Sequence, residues 1–441
     1  MRFLLATWDG GGNVPPTLAL VRKLVGCGHS VTVLGPHWLR PLFETAACGF
    51  AAYEHVPNGA PSSAATAGMG RVRAAFLVPE LARAAPALAF AEDVLGTLDR
   101  APADALVVDF MLAGAIAAAE QARLPTAALM HTVYCLPAPG RPPFGAGLKS
   151  GGRLVGRLRD PAVVGLVRRQ TRGALTDLNE ARRHIGLTAV GSAADQLAGV
   201  ARVLVLTSEA FDPAPAALPP NVRYVGPQLD GSWSEPLDLP WPAPDHEPLV
   251  VVSFGTRFAA AAVVQRVLDA LGKLRVRVLL TLGPTLAPED LRVPANALIR
   301  SFVPHRAVLP RAQLVITHAG LGTVMAALVH GVPLVCIPLK NDQFENAARV
   351  VAAEAGRTLN RKTTRHSLRR AILQVLNEPR FRDGARRMAD AIGAHDASAV
   401  EELEALAGPS HAGASCSQPS VPEKAPLRDQ ERLAATRDQR S

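Results

Sequence analysis

The stretch that decides the fold is QLVITHAGLGTVMAALVHGVPLVCIP (313–338), which carries no Asp, Glu, Lys or Arg. It is long enough to suggest a membrane span, but glycines, His318 and Pro333 interrupt it. A short apolar run is followed by a glycine-rich turn, an Ala- and Leu-rich segment and a second apolar run. This pattern predicts a strand, a loop, a helix and a second strand, which is the βαβ unit of a parallel sheet.

The same rhythm continues on both sides of this stretch. In the first half, Pro16 and Thr17 open a predicted helix that Gly28 ends, and a further helix is predicted over 112–122. In the second half, helices are predicted over 258–274, 322–330, 343–355 and, as one long stretch, 364–407. Strands are predicted over 2–7, 30–35, 103–109, 125–131 and 201–208, and again over 248–256, 275–283, 297–304, 313–320 and 332–338.

A proline-rich segment separates the two halves. The chain has 441 residues, 48% of them hydrophobic, which suits two domains of roughly 200 residues each. We therefore predict an α/β fold of two doubly wound, Rossmann-like domains that face each other across a cleft. The predicted parts are an N-terminal domain (1–210), a linker (211–247), a C-terminal domain (248–385), a C-terminal helix (386–407) and a disordered tail (408–441).

The chain carries a net charge of +9, which raises the question of nucleic-acid binding. The sequence has no zinc-ligand spacing and no aromatic-basic RNA motif, so we do not expect a nucleic-acid partner. Part of the positive charge lies in 149–184. This segment is typical either of a solvated helix face or of a surface that meets a membrane or an anionic acceptor.

The cysteines and the N-terminus bear on location. The five cysteines are scattered and odd in number, and the opening apolar run is too short for a signal peptide. We therefore expect a cytoplasmic protein, a monomer or a homodimer, with peripheral membrane contact through 149–184 as an open alternative.

The glycine-rich turn at 318–323 is the strongest candidate for a binding site. Gly320 and Gly322 let the backbone turn tightly and approach a ligand, and Thr323 adds a hydroxyl where the helix starts. The free N–H groups and the dipole of a helix N-terminus favour an anion there. His318 ends the strand, where its ring can donate a hydrogen bond to the same anion. A diphosphate suits this site, and a plain tight turn is the alternative.

Two further turns end strands of the same predicted sheet. SFGT (253–256) offers the hydroxyls of Ser253 and Thr256 and the N–H of Gly255 to a phosphate. PLKNDQFEN (338–346) offers the carboxylate of Asp342 and the amide of Gln343 to the hydroxyls of a sugar ring. A strand–helix turn for the first, and a helix N-cap at Asp342 for the second, are the structural alternatives.

These motifs together resemble a known family. HAGLGTVMAALVHGVPLVCIPLKNDQFENAARV (318–350) resembles the nucleotide-sugar signature of the GT-B glycosyltransferases, most of all the GT1 branch that includes bacterial antibiotic and carotenoid enzymes. The SFGT turn, LVVDFMLAGAIAAAE (106–120) and PTAALMH (125–131) extend the resemblance over most of the chain. It implies the GT-B fold, with a C-terminal helix that crosses back to the first domain.

The resemblance also implies roles for the matching residues. Family members often bind the donor's ribose through a Glu shortly after the glycine loop, where this chain has Ala326 and Ala327. The nucleotide therefore stays open between UDP and TDP. The implied donor-site residues are Ser253, Gly255, Thr256, His318, Gly320, Gly322 and Thr323 for the diphosphate, Phe302 and Val303 for the nucleobase, and Asp342 and Gln343 for the transferred sugar.

The first domain, by the same resemblance, binds the acceptor and supplies the general base. The family's base is usually a His in the loop after the first strand, where this chain has Asn13, and its partner Asp matches Asp109. An Asn cannot take up a proton at neutral pH. The candidates for the base are therefore Asp109, Asp9 and His131, each of which also has a structural alternative: a helix cap, a shaped turn and a satisfied strand-end His.

The sequence thus predicts a glycosyltransferase that moves a hexose from a nucleotide diphosphate sugar to a hydroxyl of a small lipophilic acceptor, by inverting displacement. The nucleotide sugar is a co-substrate, and no cofactor is expected. No metal is expected either, because the chain has no D-x-D motif. A non-catalytic nucleotide-sugar-binding protein and a nucleotide-sugar epimerase stay as alternatives. A dinucleotide oxidoreductase is disfavoured, because Pro15 stands where G-x-G-x-x-G needs its third glycine.

Overall fold

The computed structural model describes Met1 to Gly408 as one compact unit. Within that range, the described residues exclude 57–83, 137, 139–143, 145–174, 216, 231–246, 256–260, 284–285, 341 and 396. Thr256, much of the basic segment 149–184, part of the predicted linker and all of the predicted tail after Gly408 therefore lie outside the described residues.

The first sheet has seven parallel strands in the order β3-β2-β1-β4-β5-β6-β7. Its central strands are continuous apolar runs because helices cover both faces of a parallel sheet. The strands are β1 (Arg2–Ala6), β2 (Ser30–Gly35), β3 (Gly49–Ala52), β4 (Ala105–Asp109), β5 (Thr126–Met130), β6 (Arg202–Val205) and β7 (Val222–Tyr224). The helices are α1 (Val14–Gly26), α2 (Arg40–Glu44), α3 (Ala84–Arg100), α4 (Ala113–Gln121), α5 (175–184) and α6 (Ala193–Ala198), with a 3₁₀ turn at His37–Leu39.

The second sheet has six parallel strands in the order β10-β9-β8-β11-β12-β13. These strands are β8 (Leu249–Ser253), β9 (Arg277–Thr281), β10 (Ala297–Arg300), β11 (Leu314–Thr317), β12 (Leu334–Cys336) and β13 (Gly356–Thr358). The helices are α7 (Ala261–Leu271), α8 (His305–Val308), α9 (Leu321–Val329), α10 (Gln343–Ala352), α11 (Arg365–Asn377), α12 (Pro379–Gly393) and α13 (Ala399–Ala407), with 3₁₀ turns at Pro288–Asp290 and Leu309–Arg311. The predicted fold class, two doubly wound α/β sheets, is confirmed.

The structure corrects several predicted elements. Strand β7 lies inside the predicted linker 211–247, and it forms the edge of the first sheet. The predicted long helix 364–407 is three helices, because the extended Glu378 before Pro379 breaks the first from the second and an extended Ser398 precedes the third. No helix among the described residues is long and apolar enough to cross a bilayer.

Helix α13 crosses back to the first sheet, as the sequence predicted. Ala399, Val400 and Leu403 are buried in the same apolar cluster as Phe3 and Leu5 of β1. Polar contacts fix the helix at its edges, with Glu404 Oε1 at 2.8 Å from His29 Nε2. The C-terminal segment therefore completes the core of the N-terminal sheet.

One basic residue of the segment 149–184 has an internal role. The Arg182 side chain is buried, and its guanidinium donates to both carboxylate oxygens of Glu120, at 2.7 and 2.9 Å. It also donates to the Thr188 carbonyl. This arginine joins α5 to α4 rather than contributing to a solvated or membrane-facing surface.

Candidate functional site

Strand register brings three of the predicted donor-site turns to one edge of the second sheet. Ser253 pairs with Thr317, and Thr317 pairs with Cys336, so β8, β11 and β12 end side by side. The turns after these strands carry Gly255, His318 and Asp342. In an open parallel sheet, this carboxyl edge is where ligands bind.

The His318 ring occupies the centre of this edge, between two glycines. A Cβ atom at Gly255 would lie 2.7 Å from its Cε1, and one at Gly320 would lie 2.8 Å from its Nε2. Both distances are too short for real carbon contacts, so both glycines are needed to make room for the imidazole. A Cβ at Gly322 would meet nothing within 4 Å, so no such packing requirement applies there.

The His318 imidazole is buried, which favours its neutral form. Burial lowers its pKa to about 4, and a hydrogen bond with the Ser253 backbone opposes this shift. A neutral imidazole has one donor and one acceptor nitrogen. An anion bound nearby would favour the protonated ring, in which both nitrogens donate.

The tight turn itself differs from the sequence expectation. The residue in the left-handed region is Ala319, at φ +70°, whereas Gly320 is extended with φ −62° and ψ 138°. A non-glycine residue held there costs about 1–3 kcal/mol, so neighbouring groups must hold it. Asn346 does so, because its Nδ2 donates to the Ala319 carbonyl at 3.0 Å.

Helix α9 begins directly after this turn and has no side-chain cap. Gly320 stands at its N-cap position, and no acidic residue lies in its first turn. The first N–H groups of a helix have no partner inside the helix. Its N-terminus, with the buried Thr323 hydroxyl in the first turn, is therefore suited to an anion.

Asp342 and Gln343 lie at the start of α10, on the neighbouring turn. Gln343 is buried, and its Oε1 accepts from the backbone N–H groups of Leu339 and Lys340 at 2.8 and 3.0 Å. Asp342 stands at the N-cap position without capping the helix, and burial raises its pKa to about 6.

Asn346 is a site residue that the sequence reasoning missed. The same Nδ2 that holds Ala319 also donates to Asp342 Oδ2 at 2.9 Å. The side chain is fully buried and links the turn at Ala319 to Asp342. Its position one helical turn after Asp342, on the same face of α10, was the signal that could have identified it.

The predicted nucleobase residues have different surroundings. The Phe302 side chain is 74% exposed, so its ring face is open to a ligand. Val303 is buried and packs in the apolar cluster that contains Ala319 and Leu321. Phe302 is thus placed to stack on a flat ring, while Val303 supports the turn from below.

In the first sheet, Asp109 is the centre of a buried polar cluster at the carboxyl edge. Its side chain is 2% exposed. Its Oδ2 accepts from Trp8 Nε1 and from Asn13 Nδ2, each at 3.0 Å, and lies 3.4 Å from His131 Nε2. Its Oδ1 accepts from the Met111 backbone N–H at 3.0 Å. The structure therefore brings Asn13, Asp109 and His131 together at the carboxyl edge of the first sheet.

The Asn13 side chain uses both of its ends within the protein. Its Oδ1 accepts from the Gly10 N–H at 2.9 Å, and its Nδ2 donates to the Trp8 carbonyl as well as to Asp109. It does not cap α1. Asn13 thus connects the loop after β1 to Asp109 through hydrogen bonds.

Asp9 lies in the same loop but makes different contacts. Its Oδ1 accepts from the Gly11 N–H at 3.1 Å, and its Oδ2 accepts from Trp38 Nε1 at 3.1 Å. These bonds shape the glycine turn and tie it to the 3₁₀ turn after β2.

The His131 ring is buried at the end of β5. Its Nε2 faces Asp109 and lies 3.5 Å from Thr17 Oγ1, while its Nδ1 has no hydrogen-bond partner among the described residues. Burial lowers the pKa of His131, and the charge of Asp109 opposes that shift. The ring is therefore neutral at pH 7 and has one nitrogen available.

The loop that follows His131 reaches the second sheet. Val133 packs in the same apolar cluster as Val324 and Met325 of α9. The pKa of the Cys135 thiol is raised to about 12 by burial, and the charges of Asp212 and Asp342 add to the shift. The loop that follows His131 thus lies close to Asp342.

An ion pair between the partly exposed Arg349 and the buried Asp212 fixes this approach. Arg349 of α10 donates through Nε to Asp212 Oδ1 at 3.0 Å. The other oxygen of Asp212 accepts from the Tyr134 backbone N–H at 2.7 Å and from the Tyr224 hydroxyl at 3.0 Å. The helix that carries Gln343 is therefore bonded to the loop that begins at His131.

Comparisons with known proteins identify relatives of this chain. Residues 265–406 match the family model described as "Erythromycin biosynthesis protein CIII-like, C-terminal domain". Over 92% of its length the chain is 31% identical to 4'-demethylrebeccamycin synthase of Lentzea aerocolonigenes, 99% of which is covered.

Solved structures share the fold. The chain is similar to glycosyltransferase VinC, whose structure is a complex with DTDP, with a TM-score of 0.66, 17% identity and coverage of 92% of this chain and 98% of that one. It is also similar to the spinosyn rhamnosyltransferase SpnG complexed with spinosyn aglycone, with a TM-score of 0.66, 20% identity and coverage of 92% and 100%.

Proposed function

This chain belongs to the GT1 family of antibiotic-type glycosyltransferases, and we propose that it moves a hexose from a UDP- or TDP-sugar to a hydroxyl of a small lipophilic acceptor. The observation that carries the proposal is the uncapped N-terminus of α9, with the His318 ring held beside it by two glycines. An uncapped helix start beside a buried imidazole is built for a diphosphate.

Each part of the donor has a matching feature at the carboxyl edge of the second sheet. The diphosphate lies against the first turn of α9, with Ser253, Gly255, Gly320, Gly322 and Thr323 around it. The exposed Phe302 ring stacks on the nucleobase. The amide of Gln343 and the carboxylate of Asp342 bind sugar hydroxyls. The complex of VinC with DTDP supports a nucleoside diphosphate in this fold.

The acceptor lies on the first sheet, beside Asp109. The walls there are apolar. Phe110, Met111 and Tyr134 are buried in one apolar cluster, and the partly buried Trp8 and Tyr53 pack against that apolar cluster. A lipophilic ring system fits such walls. The aglycone bound by SpnG and the rebeccamycin-type name of the sequence relative support an acceptor of the natural-product class.

The reaction is a single inverting displacement. The acceptor oxygen attacks the anomeric carbon and forms the new glycosidic bond, while the bond from that carbon to the diphosphate oxygen breaks and its electron pair leaves with the nucleotide. The N-terminus of α9 and the His318 ring stabilise the developing charge on the leaving group. This stabilisation comes from protein groups, so we propose that no metal ion is required.

The test is equilibrium binding and turnover of a panel of UDP-, TDP- and GDP-sugars, with and without a mixed library of phenols and polycyclic alcohols. We expect selective binding of one nucleotide class, sugar transfer, an inverted anomeric configuration in the product and an unchanged rate after EDTA treatment. Selective binding without any sugar release would contradict the proposed transfer. A rate that EDTA abolishes and Mg²⁺ restores would contradict the metal-independent mechanism.

A further inference from the structure

The Asp109 cluster contains three groups that the sequence offers as a base, and their hydrogen bonds separate them. Asp109 Oδ2 already accepts from Trp8 and Asn13 and faces His131 Nε2. Both oxygens of Asp9 accept hydrogen bonds inside the protein. These carboxylates are occupied by contacts that hold the loops in place.

His131 is different, because one of its ring nitrogens, Nδ1, makes no hydrogen bond within the part of the chain that the structure describes. Its side chain is 5% exposed, and Nδ1 has no partner among the described residues. A buried polar atom without a partner costs about 1–3 kcal/mol, so a ligand that bonds to Nδ1 recovers that free energy. Because Nε2 faces the Asp109 carboxylate, the neutral ring carries its proton on Nε2 and its lone pair on Nδ1.

We propose that His131 is the general base of the transfer reaction, with Asp109 as the residue that positions it. This inference rests on the proposed function. The acceptor O–H bond breaks as its proton moves to His131 Nδ1, the oxygen forms a bond to the anomeric carbon, and the electron pair of the breaking bond leaves with the nucleoside diphosphate. The resulting imidazolium is stabilised by the Asp109 carboxylate at Nε2.

The hydrogen bonds of Asn13 explain how His131 can take the place of the histidine that the family usually has in the first loop. Asn13 Nδ2 and Trp8 Nε1 hold Asp109 Oδ2 from the β1 side, so the carboxylate is fixed beside β5, where His131 lies. The base has moved from the first loop to the fifth strand, while the carboxylate that orients it stays on β4.

The surroundings of His131 define its pH dependence. Asp109 is the charged group that acts on its titration, and burial has the larger, opposite effect, so the pKa of His131 lies below the ordinary 6.5. The charge of Asp109 also acts on Tyr53. Burial raises the pKa of that phenol well above 10, so the phenol stays neutral. The base is active when deprotonated. We therefore expect the rate to fall as the pH drops through the pKa of His131, which lies below 6.5, and to be flat above it.

The experiment compares wild type with His131→Gln, which keeps an amide donor for Asp109 but has no basic nitrogen. His366→Gln, on the exposed face of α11, is the matched control. The acceptors are a series of substituted phenols from 4-methoxyphenol to 4-nitrophenol, and water in the donor-hydrolysis assay. The donor is the nucleotide sugar that the panel selects.

We expect His131→Gln to lower kcat by about 100- to 10,000-fold with 4-methoxyphenol, to lose the acid limb of the pH profile and to keep the donor Kd. The deficit should shrink toward 4-nitrophenol, because an acidic acceptor needs less help. A kcat within threefold of wild type, or an equal deficit for all phenols with the pH limb intact, would overturn the assignment. Absence of donor binding and hydrolysis in the wild type would instead overturn the proposed function.

Discussion

The loops after β1 and after β11 both lie at the carboxyl edge of a parallel sheet, yet their residues make different kinds of contact. Each follows a buried apolar strand and opens a helix. Helix α1 has Pro15 and Pro16 near its start, so two of its first three residues have no N–H to offer an anion. Helix α9 begins Leu321-Gly322-Thr323, and no side chain caps it.

The side chains of the two loops follow the same division. In the first loop, Asn13 Oδ1 accepts from the Gly10 N–H, and Asn13 Nδ2 donates to the Trp8 carbonyl and to Asp109 Oδ2. In the second loop, Gly320 makes space for the His318 ring, as does Gly255 from the turn after β8, and no side chain caps the helix start. Two strand–loop–helix units of one doubly wound protein thus differ: the first positions a carboxylate, and we propose that the second binds a diphosphate.

The largest effect should follow from loss of the carboxylate in the first loop's cluster. Asp109→Asn removes the negative charge that orients and stabilises His131, so turnover should fall by about 100- to 10,000-fold while the donor Kd is kept. Steady-state kinetics and donor titration check this. The double variant with His131→Gln should be little worse than either single variant, and additive losses would mean that the two residues act separately.

The second effect concerns the diphosphate loop. His318→Ala removes a hydrogen bond to a charged group, so donor affinity should weaken by about 10- to 100-fold. Titration calorimetry with the nucleotide sugar measures the change. Gly320→Ala should weaken donor binding in the wild type, because its Cβ would press on the imidazole. In the His318→Ala variant, which has no imidazole, the same substitution should reduce donor affinity little. An equal cost in both backgrounds would show that the glycine serves the ligand directly.

A smaller effect is expected when the first loop is given the histidine usual for the family. Asn13→His leaves the Gly10 N–H and the Trp8 carbonyl without their partner, which should cost about 1–3 kcal/mol of stability. We expect a lower melting temperature and a reduced rate. A higher rate with weakly acidic alcohols would instead place the working base at position 13 and break the distinction between the two loops.

The smallest effect is a pH dependence in the second domain. Burial raises the pKa of Asp342 to about 6 from 3.8, so its folded-state charge is costly above that pH and stability should rise as the pH falls through 6 toward 4. Asp342→Asn should remove this dependence and modestly raise the melting temperature at pH 7. Thermal melts between pH 4 and pH 8 measure it, and parallel curves for the two proteins would exclude Asp342 as the cause.

The sequence by itself determined the parts whose signals are local. Apolar runs of strand length, glycine turns and helix starts recur along the chain, and they are sufficient to predict two parallel α/β sheets and the edge where the candidate residues meet. The motif at 318–350 predicted the family, which the comparisons confirm. Short edge strands were missed, because β3, β7 and β13 have only three or four residues and owe their extension to a neighbour.

The tertiary structure alone decided what the candidate residues contact. Gly255 and Gly320 lie far apart in the chain, yet both are shaped by one imidazole. Ala319 adopts the left-handed turn because Asn346, from another helix, holds its carbonyl. The sequence shows that Asn13 cannot take up a proton, but it does not show that Asn13 donates a hydrogen bond to Asp109. Hydrogen-bond partners are set by which atoms the fold brings within about 3 Å, and periodicity along a chain carries no information about that distance.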